Sequence, residues 1–284
     1  MTERREPGLD LPVYVGDDLQ GRTAIVTGAG AQASGIGNGR AAAVLLARAG
    51  ARVVLVDAVA DRLDETIDLV AQVGGESLPV VADVTDETAC RNIVEATLER
   101  FGGVDVLVNN VGVGGPPDDV VDLDIEAWRR LVDLNLTSMI LMSKFTIPHM
   151  RAAGRGSIVH LSSLGGTISH PRPAYAATKG AVLSLTRSMA VTHGPEGIRV
   201  NAVAPGIVYT PMVAAEGLSD EARRQRAAMV PLRTEGTGWD VGEAVLYLAG
   251  ERARWVTGTT LTVDGGFTAD LRMSVSTTMH NPSR

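Results

Sequence analysis

Tyr175 and Lys179 stand four residues apart in Tyr175-Ala176-Ala177-Thr178-Lys179, Ser163 lies twelve residues before the tyrosine, and Asn135 falls within an earlier helical run. On a helix, positions i and i+4 share a face, which sets an ammonium beside a phenol. At about 4 Å and an effective dielectric of roughly 20, that pair is worth about 4 kcal/mol, enough to bring a phenol from about 10 to about 7. The spacing therefore predicts a tyrosine able to exchange protons near neutral pH. The same spacing on a solvated helix is only a surface pair, so the elements around it decide.

Gly156 to Leu161 is a short apolar run like a buried strand, and Ser162-Ser163-Leu164-Gly165-Gly166 follows at its carboxyl end. Pro171 and Pro173 break the chain before the next helix. Tyr175 is thus expected in the first helical turn, where the macrodipole favours an anion. Residues 23–27, 52–56, 78–82, 104–108, 157–161, 199–203 and 260–263 read as strands, alternating with helical stretches at 40–49, 61–73, 87–101, 125–150, 176–193 and 241–249. That alternation predicts an α/β fold, a doubly wound parallel seven-stranded sheet with helices on both faces. Ligands of such sheets bind at the carboxyl ends of the strands.

The first strand runs into a loop from Thr27 to Gly39 containing Gly28, Gly30, Gly35, Gly37 and Gly39, and a helix follows at once. Glycines allow close backbone approach to a pyrophosphate, which a helix N-terminus stabilises. Asp57 closes the second strand, where it is expected to chelate the adenosine ribose hydroxyls and to repel an added 2′-phosphate. Ala58 follows, so no arginine stands next to the acid. NAD is therefore expected ahead of NADP, with Arg40 near the loop as the one basic residue that argues the other way.

A chain of 284 residues, 45% of them apolar, can bury one sizeable core, and no linker-like stretch divides it. A net charge of −7 disfavours nucleic acid as a partner and favours a small molecule. Cys90 is the only cysteine, and His149, His160, His170, His193 and His280 lack ligand spacing, so neither disulfide nor metal is expected. No apolar run is long enough to cross a bilayer, and the charged start lacks a signal segment, so the expected location is cytoplasmic.

Together the glycine loop, Asp83-Val84-Thr85, Asn109-Asn110-Val111-Gly112, Asn135, Ser163, Tyr175/Lys179, Pro205 to Thr210 and Val263-Asp264-Gly265-Gly266 resemble, in order, the short-chain dehydrogenase/reductase family. The resemblance implies a single-domain Rossmann fold over 21–267, a substrate lid at about 209–238, extensions at 1–20 and 268–284, and a homotetramer, with a dimer as the alternative. It implies cofactor contacts from Gly28, Ser34, Gly37, Asn38, Gly39, Asp57, Asp83, Val84, Asn110, Tyr175, Lys179, Pro205, Gly206, Val208 and Thr210. The glycine loop is longer than the family's usual one, so either Gly37 and Gly39 or Gly35 and Gly37 close it.

In the family's chemistry, Tyr175 is the general acid/base and Ser163 binds the substrate oxygen. Lys179 binds the nicotinamide ribose and lowers the tyrosine pKa, while Asn135 holds a water linked to Lys179. The usual spacing from serine to tyrosine would choose Ser162, whereas the local pattern chooses Ser163. The implied activity is NAD-dependent interconversion of a secondary alcohol and a ketone. The alternatives are NADPH-dependent 3-oxoacyl reduction on a carrier protein or CoA, which Asp57 and Glu196 disfavour, and a non-catalytic NAD-responsive interaction protein, which the intact Tyr/Lys pair disfavours.

Overall fold

A computed structural model describes residues 19–116, 119–215 and 217–270. The extensions expected at 1–20 and 268–284 fall largely outside those residues. In chain order the elements are β1 (Thr23–Thr27), α1 (Asn38–Arg48), β2 (Arg52–Asp57), α2 (Asp64–Gln72), β3 (Ser77–Val81), α3 (Glu87–Phe101), β4 (Val106–Asn109), α4 (Ile125–Val132), α5 (Ser138–Ala153) and β5 (Gly156–Leu161). There follow α6 (Pro173–His193), β6 (Ile198–Pro205), β7 (Val208–Tyr209), α7 (Pro211–Ala214), α8 (Asp220–Met229), β8 (Gly236–Thr237), α9 (Gly238–Ala249) and β9 (Thr260–Val263).

Strands rich in Val, Ile and Leu are buried on both faces because helices cover both sides of the sheet. All five residues of β1 are buried, and the pleat sends Ala24 and Val26 to one side and Ile25 to the other. Ala24 and Val26 join a cluster with α1 and α9, while Ile25 joins one with α3 and α5. Full burial of a side chain such as Ile25 contributes roughly 1.5–3 kcal/mol relative to exposure. The seven main strands are parallel, in the order β3-β2-β1-β4-β5-β6-β9. The order reverses between β1 and β4, which opens a crevice at their carboxyl ends.

Local chemistry sets the element ends. Asp86 caps α3 by accepting from Ala89 N at 2.7 Å, and Pro173 occupies the first turn of α6, where its missing N–H costs nothing. The helix expected at 125–150 is interrupted by a π turn over 133–137, which joins α4 to α5 and carries Asn135. Expected strand 104–108 starts later, at Val106, where its register with Ala24 of β1 begins, and just before it the Asp105 carboxylate is engaged by Thr23 N, Arg22 and Arg155. Over 209–238 the chain forms a two-stranded β7/β8 ribbon, α7 and α8. There the buried Glu235 carboxylate pairs with Arg223 at 2.9 Å and Arg226 at 2.6 Å. Two-residue strands carry no periodicity, so the ribbon leaves no trace in sequence.

Candidate active site

The carboxyl ends of β1, β2, β4 and β5 open on a cleft of about 340 Å³. Its lining includes Gly28, Gly37, Asn38, Gly39, Asp57, Asp83, Val84, Asn110, Tyr175, Lys179 and Thr210. A depression of about 430 Å³ lies at the opposite ends of the strands, around Arg22, Asp105, Arg155 and Arg199. Its charges answer one another: Arg22 and Arg155 meet Asp105 at 3.1 and 2.8 Å, and Arg199 donates to the carbonyls of Leu248 and Gly250 at 2.7 and 3.1 Å.

Gly37 is the N-cap of α1, so the long glycine loop closes on Gly37 and Gly39. A Cβ at Gly39 would stand 2.1 Å from the Gly28 carbonyl oxygen, a separation that no rearrangement short of moving backbone relieves. Gly28 itself has φ +64°, a left-handed conformation that favours glycine. Asn110 ties this turn to β4 by donating from Nδ2 to the carbonyls of Thr27 (3.1 Å) and Gly28 (3.0 Å). Asn38 opens α1 with its Oδ1 buried and without a hydrogen-bond partner. A bare helix N-terminus and a glycine cradle fit a dinucleotide pyrophosphate.

Asp57 ends β2 with Oδ2 accepting from Gly30 N at 3.2 Å and Oδ1 from Val59 N at 3.1 Å. Arg62, which the sequence reading missed, also lines the cleft and brings Nη1 to 3.9 Å from Oδ1. It stands five residues past Asp57 and reaches back to it across the turn after β2, whereas the residue next to the acid is Ala58. Arg40, the basic residue near the glycine loop, is buried with its guanidinium engaged by Thr66, Glu65 and the carbonyls of Gly35 and Arg62, and so is not placed to receive a 2′-phosphate. Asp83 Oδ1 accepts from Thr85 N and Oγ1 at 2.9 and 2.8 Å, which shapes the turn beside Val84.

Several expected contacts sit elsewhere. Ser34 lies on the exposed outer loop, where its hydroxyl donates to Glu65 at 3.2 Å. Val208 is buried in the core and its carbonyl accepts from Arg226, while Gly206 is pressed against Asp264 beside β9 and Pro205 ends β6. Thr210 reaches the cleft and caps α7, accepting from Val213 N at 3.4 Å.

At the other end of the cleft, the Ser163 hydroxyl accepts from Gly165 N at 3.1 Å and favours the ionised form of the Tyr175 hydroxyl. Ser162 turns inward and donates to the Lys179 carbonyl at 2.8 Å. The two serines therefore divide: one faces the tyrosine and the other fastens β5 to α6. Asn135 donates from Nδ2 to Val113 O (3.0 Å) and Thr178 Oγ1 (3.1 Å) and accepts from Val113 N (2.8 Å), so both amide hydrogens are spent. Lys179 is 4% exposed and donates to Leu161 O at 2.9 Å, and burial pushes its pKa down to about 8.

The tyrosine departs from expectation. Burial raises its pKa above the ordinary value, against the opposing effects of the Ser163 hydroxyl and the Arg172 charge. The lowering expected from Lys179 is absent, since its Nζ lies 6.0 Å from the ring centroid and points to Leu161. Spacing of i and i+4 fixed a shared helix face, but not the desolvation of a phenol packed beside His170 and the Gly165 turn. Behind the site His160 is buried, with Nδ1 3.2 Å from Asn109 Nδ2 and Nε2 without a partner; burial, and then Lys179, push its pKa down to about 4.

Among the described residues no group of potential ligands could hold a metal, and no helix is long and apolar enough to cross a membrane. A family model described as "Enoyl-(Acyl carrier protein) reductase" matches residues 30–268. Cis-4-hydroxycyclohexanecarboxylate dehydrogenase of Sinomonas cyclohexanicum is 43% identical over 256 residues, covering 90% of this chain and all of that one. The solved structure of a short-chain dehydrogenase/reductase from Burkholderia xenovorans superposes with a TM-score of 0.87 at 40% identity, over 90% of this chain and 100% of that one. That of an NAD+-bound xylitol dehydrogenase gives 0.79 at 30% identity, over 87% and 99%. These matches make the protein an oxidoreductase acting on CH–OH donors with a nicotinamide dinucleotide, and the chain belongs to the short-chain dehydrogenase/reductase family.

Proposed function

We propose that the protein interconverts a secondary alcohol and a ketone with NAD, using Tyr175 as general acid/base. One juxtaposition supports the reading: Tyr175, with Lys179 one turn further along α6, lines the same cleft as Asp57 and the Gly39 cradle. Bound in the cleft lined by Gly28, Gly39 and Asp57, NAD would supply the acceptor for the hydride of the carbinol carbon. Tyr175 takes the carbinol proton, and in the reverse direction gives one to the ketone oxygen. Ser163 donates a hydrogen bond to that oxygen and stabilises charge as it develops. Lys179 supplies the cation for the nicotinamide ribose hydroxyls. Asn135 fastens Val113 and Thr178 around them, leaving one lone pair of Oδ1 for a water.

NAD is preferred over NADP because the Asp57 carboxylate, held by two backbone N–H groups, would face a 2′-phosphate. Arg62 favours a second reading, NADPH-linked reduction of a 3-oxoacyl thioester, since its guanidinium is the nearest charge able to receive that phosphate. Initial rates with both cofactors on a panel of cyclic and linear alcohols and on an acetoacetyl thioester test the choice. Faster oxidation of alcohols with NAD is expected, and a strong NADPH preference with the thioester would reverse the order. Binding of NAD with no hydride exchange across the panel would instead favour a non-catalytic role. A homotetramer goes with this reading, and light scattering that finds a monomer would overturn it.

A further inference from the structure

Thr210, Pro211 and Met212 line the cleft immediately after β7. The wall they form continues from β6, which lies beyond β5 in the sheet, whereas Asp57 ends β2 on the other side of β1. It therefore belongs to the Tyr175 end. What holds it there lies outside the cleft, between α8 and the β7/β8 ribbon.

No side chain of α8 from Asp220 to Met229 is fully buried, so little apolar surface fastens this helix. Arg223 and Arg226, one turn apart on it, instead reach a single carboxylate: Arg223 Nε meets Glu235 Oε2 at 2.9 Å and Arg226 Nε meets Oε1 at 2.6 Å. That carboxylate is 6% exposed. The chain doubles back to bring it there through Arg233, whose φ of +59° is the one left-handed value at a non-glycine position among the described residues.

Each arginine also grips β7. The Arg223 guanidinium lies 3.7 Å from the centroid of the Tyr209 ring, and Arg226 Nη2 donates to the Val208 carbonyl at 3.1 Å. The ribbon itself has two residue pairs, Val208 with Gly236 and Tyr209 with Thr237, too few to hold β7 by backbone alone. Glu235 thus fixes two cations, and the cations fix the two residues that lead into Thr210. A buried carboxylate is costly unless paired, and apolar side chains of similar volume commonly stabilise a fold as well or better. What the ionic arrangement adds is direction, since guanidinium and carboxylate groups meet in few orientations.

We propose that Glu235 is a positioning residue for the nicotinamide end of the site: through Arg223 and Arg226 it holds the Thr210 to Met212 wall against which that end of the cofactor would lie. This rests on the NAD-linked reading above.

ADP-ribose separates the two ends of the cleft, because it carries the adenosine, pyrophosphate and second ribose of NAD but no nicotinamide. Calorimetry gives the Kd of NADH and of ADP-ribose for the full-length protein, Glu235→Gln, Glu235→Asp and Tyr209→Leu. Glu235→Gln should weaken NADH by about tenfold, the size of one charge-assisted contact, and ADP-ribose by less than about twofold. Glu235→Asp, which keeps the charge on a shorter stem, should recover part of the loss. Tyr209→Leu removes the ring beneath Arg223 and keeps both ion pairs, so it should show a smaller loss of the same kind, and it decides the matter if Glu235→Gln does not fold. Equal weakening of the two ligands in the folded variants, or no weakening of NADH, overturns the positioning role.

Steady-state rates on an alcohol that the parent oxidises supply the second readout. Glu235→Gln should raise KM by about tenfold and leave the pH profile set by Tyr175 in place. A merely structural role would lower thermal stability and the fraction of active sites with KM and the ratio of the two affinities unchanged, and that result overturns the proposal. If the parent oxidises no alcohol and the two ligands still divide in the variants, the positioning role stands and the dehydrogenase reading fails.

Discussion

The Asp57 end of the cleft is lined by backbone N–H groups, glycine and a carboxylate held by backbone, whereas the Tyr175 end is lined by ionisable side chains, Lys179 among them buried. The first end is constrained by space, because an extra methyl at Gly39 collides with the Gly28 carbonyl. The second is constrained by charge, since burial raises the Tyr175 pKa and lowers that of Lys179 to about 8. Shape recognises a cofactor whose framework never changes. Groups held away from their ordinary pKa values suit a step in which a proton must move.

Substitutions at the two ends should therefore fail differently. The largest effect is expected for Tyr175→Phe, which should lower kcat by about 10²–10⁴-fold while cofactor binding measured by fluorescence titration stays near that of the parent. Normal turnover would dissolve the contrast. With Tyr175 raised by burial, oxidation should accelerate as pH rises above neutral, and Ser163→Ala, which removes a lowering interaction, should push that profile further alkaline.

Acid should weaken the fold through the buried side-chain layer. His160 takes a proton near pH 6.5 when unfolded but only near pH 4 when folded, so the unfolded chain binds more protons between those values. The stability held above pH 6.5 is lost as pH falls through 4, by on the order of 3 kcal/mol. Urea titrations at pH 7 and 4.5 measure it, and a His160→Gln protein with the same pH slope would count against it. Lys179 acts in the same direction in another window, adding stability as pH rises from about 8 to 10.5.

Gly39→Ala should raise the cofactor Kd by about 10-fold or more, the effect of 1–3 kcal/mol of overpacking, with kcat at saturating cofactor largely kept. An equal loss in kcat would mean that the two ends are not separable. Arg62→Ala should give the smallest change, a fall of about three- to tenfold in the NADP:NAD ratio of kcat/KM, consistent with an exposed charge contact. A ratio that does not move would remove Arg62 from cofactor choice.

Much of this contrast is legible in the residues themselves. Strand and helix alternation foretells the seven-stranded sheet, and the glycine loop, Asp57 and the Tyr175/Lys179 spacing foretell a cleft at its carboxyl edge, because periodicity and spacing are local properties. Matters that depend on what lies across the cleft are not legible: Arg62 against Asp57, and the inward turn of Val208. The sign of the tyrosine shift escapes for the same reason, since spacing reports neighbours on a helix but not the water removed by residues such as His170 and Gly165 that pack on the ring. The π turn at Asn135 is silent too, as an added residue in a helix leaves the polar pattern nearly unchanged.

Arg40 has one more consequence. Its buried guanidinium joins the Gly35 carbonyl inside the long glycine loop to Glu65 and the Arg62 carbonyl outside it. The lengthened segment is thereby closed by a side-chain strut into a short ring, with little slack for an enzyme that must draw six or more residues into its own groove. Arg40→Met should open the ring and expose residues 30–37 to limited cleavage by a broad-specificity protease, while the parent resists at that point. The strut lets the chain carry extra length there without acquiring a nick site.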